Sequence, residues 1–225
     1  MKRSHIEISK RVVGERAVEF VRDGMILGLG TGTTVRYFIE KLAEKIKRES
    51  LEIIAIPTSI ETEKLAERLG IPLSTLDKYP EVDLDIDGAD EVDPEFNLIK
   101  GRGGAHSMEK RVASASERFI VIVDYTKIVK NLGGSPVPIE VLPEFIDKVE
   151  KKLRGIGGIP ELRKGFTTDN GNLILDTRLR IEDPLDMEIE LNSIPGVVDN
   201  GIFSKRRPDI VIIGKNKRVE ILKRK

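Results

Sequence analysis

The sequence predicts an α/β protein built on an open, mostly parallel sheet, with a smaller α+β domain inserted late in the chain. Three features carry that expectation. From Ile8 to Val123 short apolar runs alternate with segments of helical periodicity; beyond Asn131 this rhythm gives way to hairpin signals; and a strongly apolar run returns at 208–214. Strands separated by helix-length connections pair in parallel, whereas tight turns join antiparallel strands.

Each element has its own justification. Between Ile8 and Asp23, Val12, Val13, Ala17, Phe20 and Val21 recur at helical spacing, and Gly24 follows as a C-terminal cap. Met25–Gly30 is a short apolar run, Thr31-Gly-Thr-Thr34 comes next, and Val35, Phe38, Ile39, Leu42 and Ile46 then mark an amphipathic helix. The order is strand, glycine turn, helix. Leu51–Pro57 reads as a second strand, Ile60–Leu69 as a helix closed by Gly70, and Val82–Asp87 as a third strand. A helix over Lys110–Ser116 leads into a strand over Phe119–Val123. In the insertion, strands are expected near Ile139 and Phe166, and Asp169-Asn-Gly171 supplies a hairpin turn before a strand over Asn172–Leu175. Asp183-Pro184 opens a short helix, and Pro195-Gly196 precedes a strand over Val197–Phe203. The run Pro208–Gly214 has the apolar character of a central parallel strand, so the chain returns to its first domain. The expected division is residues 1–130 plus 204–225 for a Rossmann-like α/β domain and 131–203 for the α+β domain, whose surface is assigned to self-association.

Composition narrows the chemistry. The 225 residues carry 38 Lys plus Arg and 38 Asp plus Glu, and a neutral chain of this kind has no electrostatic bias toward nucleic acid or an acidic membrane surface. Its apolar runs are far shorter than the roughly 20 residues that span a bilayer, and no secretory signal opens it, so a cytoplasmic location is expected. With no cysteine and two histidines, disulfides, thiolate nucleophiles and sulfur-ligated zinc are excluded and a multi-histidine metal site is disfavoured. Catalysis then falls to carboxylates, lysines, hydroxyls and backbone amides.

Four motifs supply those groups. Gly28-Leu-Gly-Thr-Gly-Thr-Thr34 lies between a strand and a helix, where small residues let amides approach an anion and the helix N-terminus favours negative charge. Its glycine spacing departs from the dinucleotide fingerprint, and the hydroxyls of Thr31, Thr33 and Thr34 around Gly32 suit a phosphate monoester; the competing reading is a capped turn. Asp87-Gly-Ala-Asp-Glu-Val-Asp93 follows a strand, where open α/β sheets place their ligand crevices. Glu81, Glu91, Asp93 and Glu95 read as a solvated face. Asp87 and Asp90, separated only by Gly88 and Ala89, instead place two carboxylates close together, for proton transfer among sugar hydroxyls or, alternatively, for magnesium. In Lys100-Gly-Arg-Gly-Gly-Ala105 glycines expose backbone amides beside a lysine, and two such amides with the ammonium make a receptor for an oxyanion if this is not simply a flexible basic loop. Glu109 opens the following helix, where a carboxylate is commonly a partner of the helix dipole. His106, a lone histidine beside Ser107, reads as a helix-start residue, and Lys127 stands after a strand end as an anion contact or a solvated side chain.

Taken together and in this order, GLGTGTT, DGADEVD, KGRGGA and a glutamate nine residues beyond Lys100 resemble the A-type ribose-5-phosphate isomerases over nearly the whole chain. The resemblance implies that Thr31, Gly32, Thr33 and Thr34 hold substrate, that Asp87, Asp90 and Lys100 are catalytic, and that Glu109 is the base. Lys127 and, by a looser match, Lys10 would contact the ligand, as would the backbone at Gly88, Ala89, Gly101, Arg102 and Gly103. It implies interconversion of ribose 5-phosphate and ribulose 5-phosphate through an enediolate, with no metal or organic cofactor, in a homodimer or homotetramer. Arg102 departs from the family's usual glycine, and His106 from its usual apolar residue. A non-catalytic sugar-phosphate sensor is the main rival reading, and a nicotinamide dehydrogenase is disfavoured by the missing glycine.

Overall fold

The computed structural model describes residues 2–224. In chain order the regular elements are α1 (Lys2–Ala17), β1 (Ile26–Leu29), α2 (Thr33–Glu49), β2 (Ile54–Pro57), α3 (Ile60–Leu69), β3 (Val82–Asp87), β4 (Glu91–Val92), β5 (Leu98–Ile99), α4 (His106–Ala115), β6 (Ser116–Asp124), β7 (Val137–Val141), α5 (Ile146–Gly155), β8 (Ile159–Leu162), β9 (Leu173–Arg178), α6 (Pro184–Asn192), β10 (Val197–Asn200), β11 (Ile202–Phe203), β12 (Ile210–Lys215) and β13 (Arg218–Lys223). They form two compact units. Unit 1 comprises Met1–Gly88, Met108–Lys127 and Pro208–Lys225; unit 2 comprises Ala89–Ser107 and Ile128–Arg207.

Unit 1 is organised by a six-stranded sheet of order β13-β12-β6-β3-β1-β2. All neighbours pair in parallel except β12 and β13. Leu27, Leu29, Leu84, Ile86, Ile120, Ile122, Ile210 and Ile212 from its strands share one core with Val13 and Ala17 of α1 and with Val35, Phe38, Ile39 and Leu42 of α2. A second cluster joins Ile56 and Val82 to Val112 of α4. Strands covered on both faces become apolar throughout, as Phe119–Val123 and Ile210–Ile213 show. The edge strand β13 alternates instead, with Val219 and Ile221 against the core and charged Arg218, Glu220 and Lys223 between and beyond them, which discourages further strand pairing at this edge.

The first helix begins earlier and ends earlier than its apolar spacing predicts. It stops at Ala17, a single 3-10 turn follows over Val18–Phe20, and Val21 is already extended. The reason lies in the last carbonyls: Lys45 of α2 donates to Val18 O (3.1 Å) and Val21 O (2.8 Å), satisfying groups a continuing helix would have bonded itself.

Unit 2 contains a four-stranded antiparallel sheet, β10-β7-β9-β8, and a three-stranded one, β11-β5-β4. Val137, Ile139, Val141 and Leu175 of the larger sheet pack with Val149 and Leu153 of α5 and Leu191 of α6. The expected strand at Val197–Phe203 is two strands in different sheets. Asn200 makes the corner: its side chain donates to Glu188 O (3.1 Å) and Asn192 Oδ1 (2.7 Å) and accepts from Ile202 N (2.9 Å). No strand forms at Phe166, because pairing to β9 ends at Arg163 and Gly165 turns the chain at φ +66°. The helix over Ile146–Gly155 is an addition to the elements expected from the sequence, and its Ile146, Val149 and Leu153 have helical spacing.

Residues 89–107, expected within the α/β domain, group with unit 2 because β5 pairs with β11 and β4 pairs with β5. Glu91 is also not solvated. It is buried, and its two carboxylate oxygens accept from Gly133 N (2.9 Å) and Ser135 N.

Candidate active site

Strand order fixes the candidate site in unit 1. From β1 the chain moves outward to β2, then returns to place β3 on the other side of β1. That reversal opens a crevice beyond the C-terminal ends of β1 and β3. The glycine–threonine turn leaves one of those ends and Asp87 stands at the other.

The two are built as one structure. Gly30 N donates to Ile86 O (3.0 Å), Thr31 N donates to Asp87 Oδ1 (3.0 Å), and Gly88 N donates to the same oxygen (2.6 Å). Gly28 pairs directly with Asp85 across the strands, and a Cβ on Gly28 or Gly30 would overlap the carboxyl group of Asp85 or Asp87, respectively. These glycines therefore make room for two acidic side chains, beyond any part they play in letting a phosphate approach. Asp87 is fully buried, at 0 % exposure.

Gly32 caps α2 at φ +127°, a conformation that favours glycine. The first-turn amides that follow, at Thr33 and Thr34, have no acceptor within the helix, and the dipole's positive end lies with them, a combination that favours an anion. Thr33 is exposed and Thr34 half-buried. Thr31 differs from the sequence reading, which grouped its hydroxyl with theirs. Its Oγ1 lies 2.8 Å from Thr58 Oγ1, donates to Ser59 Oγ (2.8 Å), and is 3.2 Å from Thr62 Oγ1. Thr58 and Thr62 in turn donate to Leu29 O (3.1 Å) and Gly30 O (2.8 Å). This hydroxyl cluster at the end of β2 and the start of α3 braces the turn. Sequence reasoning missed it, although Pro57-Thr-Ser59 sits at another strand end.

Glu109 is 3 % exposed, in the first turn of α4. Val112, one turn further on, lies where a Cβ on Gly28 would meet it together with Asp85. Residues three apart share a helix face, so Glu109 is on the side of α4 turned to the sheet face that carries Asp85 and Asp87. Lys127 closes the 3-10 turn after β6, where Asp124 accepts from Thr126 N (3.0 Å) and from the Thr126 hydroxyl. Lys10 donates to Glu7 (2.8 Å), and Tyr37 of α2 donates to the other Glu7 oxygen (2.9 Å). Lys10 first and Tyr37 second hold the Glu7 carboxyl below the usual carboxylate range. This places Lys10 on a link between α1 and the second turn of α2 instead of on the glycine–threonine turn itself.

Unit 2 holds the remaining candidates. Asp90 N donates to Ile99 O (2.7 Å), and Arg102 N donates to Asp90 Oδ2 (3.1 Å), fastening the acidic segment to the glycine loop. Lys100 is 2 % exposed, with its ammonium 5.4 Å from the Phe203 ring centre. The loop is not the flexible one its composition allows. Gly101, at φ +98°, leaves no room for a Cβ against the His106 ring; Gly104 N donates to Gly101 O (2.9 Å); and Arg163, paired with Asp176, donates to Arg102 O (3.1 Å). Arg102 and Gly103 are the exposed members. His106 is fully buried, with Nε2 3.3 Å from Asp199 O, a packed core histidine at the loop's base.

This assembly of motifs has close counterparts. Residues 54–218 match the family model for ribose 5-phosphate isomerase A (phosphoriboisomerase A). The chain is 47% identical to ribose-5-phosphate isomerase A of Pyrococcus abyssi, over 98% of this chain and 100% of the relative, and 46% identical to that of Pyrococcus horikoshii over the same shares. It superposes on the ribose 5-phosphate isomerase A structure from Methanocaldococcus jannaschii with TM-score 0.92 at 44% identity, covering 95% of this chain and 97% of that one. A D-ribose-5-phosphate isomerase solved in complex with phospho-erythronic acid gives TM-score 0.94 at 46% identity, over 97% and 99% of the two chains. The chain belongs to the ribose 5-phosphate isomerase A family.

Proposed function

We propose that this chain interconverts ribose 5-phosphate and ribulose 5-phosphate through an enediolate, with Glu109 as the base that moves the carbon-bound proton. The observation that carries this reading lies within unit 1: two buried carboxylates, Asp87 at the end of β3 and Glu109 on the side of α4 turned to that sheet face, accompany the glycine-capped N-terminus of α2, which suits a phosphate. Glu109 removes the proton from C2 of the open-chain aldose and returns it to C1. Asp87, assisted by Asp90, opens the ring and carries the hydroxyl proton from O2 to O1. Lys100 and the amides of the loop at Gly101, Arg102 and Gly103 stabilise charge on the enediolate oxygens. Thr33 and Thr34 hold the phosphate through amides and hydroxyls, Thr31 and Gly32 shape that turn, and Lys127 and Lys10 add positive charge. Gly88 and Ala89 keep the backbone close to the sugar. Binding of the remote phosphate positions the reacting carbons.

The direct test compares ribose 5-phosphate with ribose. Ribulose 5-phosphate should form, and kcat/KM for unphosphorylated ribose should be lower by at least about 10²-fold, the size of one or two hydrogen bonds to a charged group. Equal values for the two sugars would remove Thr33 and Thr34, and the turn that Thr31 and Gly32 shape, from phosphate binding.

The carboxylates are assigned to proton chemistry, so activity is expected to survive exhaustive dialysis against EDTA. Loss on chelation with recovery on adding magnesium would transfer Asp87 and Asp90 to a metal site. The same reading makes the enzyme a cytoplasmic homodimer or homotetramer. Exposed apolar Leu185, Ile189 and Val198 of unit 2 support association, and sedimentation equilibrium measures it. Among the described residues no helix is long and apolar enough to cross a membrane.

A further inference from the structure

Glu140 lies in β7 of unit 2 and is 1 % exposed. One of its oxygens, Oε2, accepts from the Ser107 hydroxyl. The other, Oε1, accepts from Thr168 Oγ1 (2.8 Å), Asn172 Nδ2 (2.8 Å) and Asn170 Nδ2 (3.1 Å). Those three donors come from one turn that also closes on itself, with Thr168 N donating to Asn172 O (2.9 Å) and Asn172 N to Thr168 Oγ1 (3.1 Å). Each of these four side-chain donors is neutral.

A buried carboxylate is an expensive way to join neutral donors, and a neutral core is often as stable or more so. Its peculiar ability is to accept at both oxygens at once, tying separate segments together without a choice of donor or tautomer. Burial raises the Glu140 pKa, yet Ser107, Asn172, Thr168 and Asn170 together outweigh it and hold the carboxyl below the usual range, so it stays an acceptor at neutral pH.

Ser107 is the second residue of α4 and Glu109 the fourth. At 3.6 residues per turn their side chains leave the helix about 200° apart. A hydrogen bond that fixes Ser107 on one side therefore sets the rotation of the first turn, and with it the direction in which Glu109 projects on the other. We propose that Glu140 is a positioning residue for the isomerisation, acting through Ser107 to hold the first turn of α4 and so aim the Glu109 carboxylate at the substrate carbon. The inference rests on Glu109 being the base, and it adds a residue distant in sequence that reaches the chemistry through that helix turn.

Ser107→Ala cuts the link to α4 and leaves the Thr168–Asn172 turn on Glu140, whereas Thr168→Val removes one of three donors to the other oxygen and leaves Ser107 bound. Ser107→Ala should lower kcat between about 10- and 100-fold with KM little changed, as expected for a misaimed base. Ser107→Thr should restore most of the loss. Thr168→Val should lower Tm yet keep kcat within about threefold of the parent. If Ser107→Ala leaves kcat intact, or if both variants lower it by the same factor, Glu140 is structural only and the proposal fails. Introduced into Glu109→Gln, Ser107→Ala should cost nothing further; an equal loss in that background overturns the route through Glu109. Failure of Glu109 as the base shows separately, as a Glu109→Gln enzyme with nearly parental kcat.

Discussion

Replacing Glu109 with glutamine is expected to lower kcat by about 10² to 10⁴-fold, or roughly 3 to 5 kcal/mol of barrier, the usual contribution of a positioned general base. The substitution keeps the shape of the side chain and opens no cavity in the cluster around Val112, so the protein should fold and melt much as the parent does. KM should change little, because the phosphate turn at Thr31–Thr34 belongs to other elements. Steady-state kinetics with ribose 5-phosphate reads both quantities. A folded variant within a few-fold of parental kcat would remove Glu109 from the mechanism.

Asp87 allows its chemical and structural parts to be separated. Its Oδ1 accepts from Thr31 N and Gly88 N, and so ties the phosphate turn to the end of β3. Asn retains an oxygen for those two donors but cannot carry a proton between O2 and O1, so Asp87→Asn should lower kcat by about 10² to 10³-fold at nearly constant KM. Ala removes the acceptor as well. Each backbone donor left unsatisfied costs about 1–3 kcal/mol, so Asp87→Ala should also lower Tm and raise KM as the turn loosens. If Asn and Ala raised KM alike, the tie between Asp87 and the turn would not govern binding.

Much of this was legible along the chain because the motifs are local. A strand, a glycine turn and a helix follow each other between Met25 and Glu49, and the segments from Asp87 to Asp93 and Lys100 to Glu109 stand at strand and helix ends. What braces them was not legible. Thr58, Ser59 and Thr62 support Thr31 from 27 to 31 residues away, and Arg163 supports Arg102 from 61 residues away. Glu140 meets Ser107 across 33 residues. These are ordinary polar residues with no spacing signature, and only the pairing of distant strands gives them partners. The two-residue strands β4 and β5 are too short for any period to declare itself, so the pairing that groups residues 89–107 with unit 2 leaves no mark in the sequence. Gly28 and Gly30 illustrate a third case: their motif pointed to a phosphate, while the cross-strand register shows that they also make room for Asp85 and Asp87.

The central claim is that one carboxylate, that of Glu109, moves the proton between C2 and C1. Ribose 5-phosphate incubated with enzyme in deuterated water loses its C2 proton each time that carbon base acts and its proton swaps with solvent at the enediolate stage, whether or not product is released, and proton NMR follows the loss of the signal. The parent enzyme should exchange it rapidly, and folded Glu109→Gln should leave the C2 signal close to its enzyme-free level while still binding the sugar phosphate. Exchange by Glu109→Gln at the parental rate would contradict the assignment.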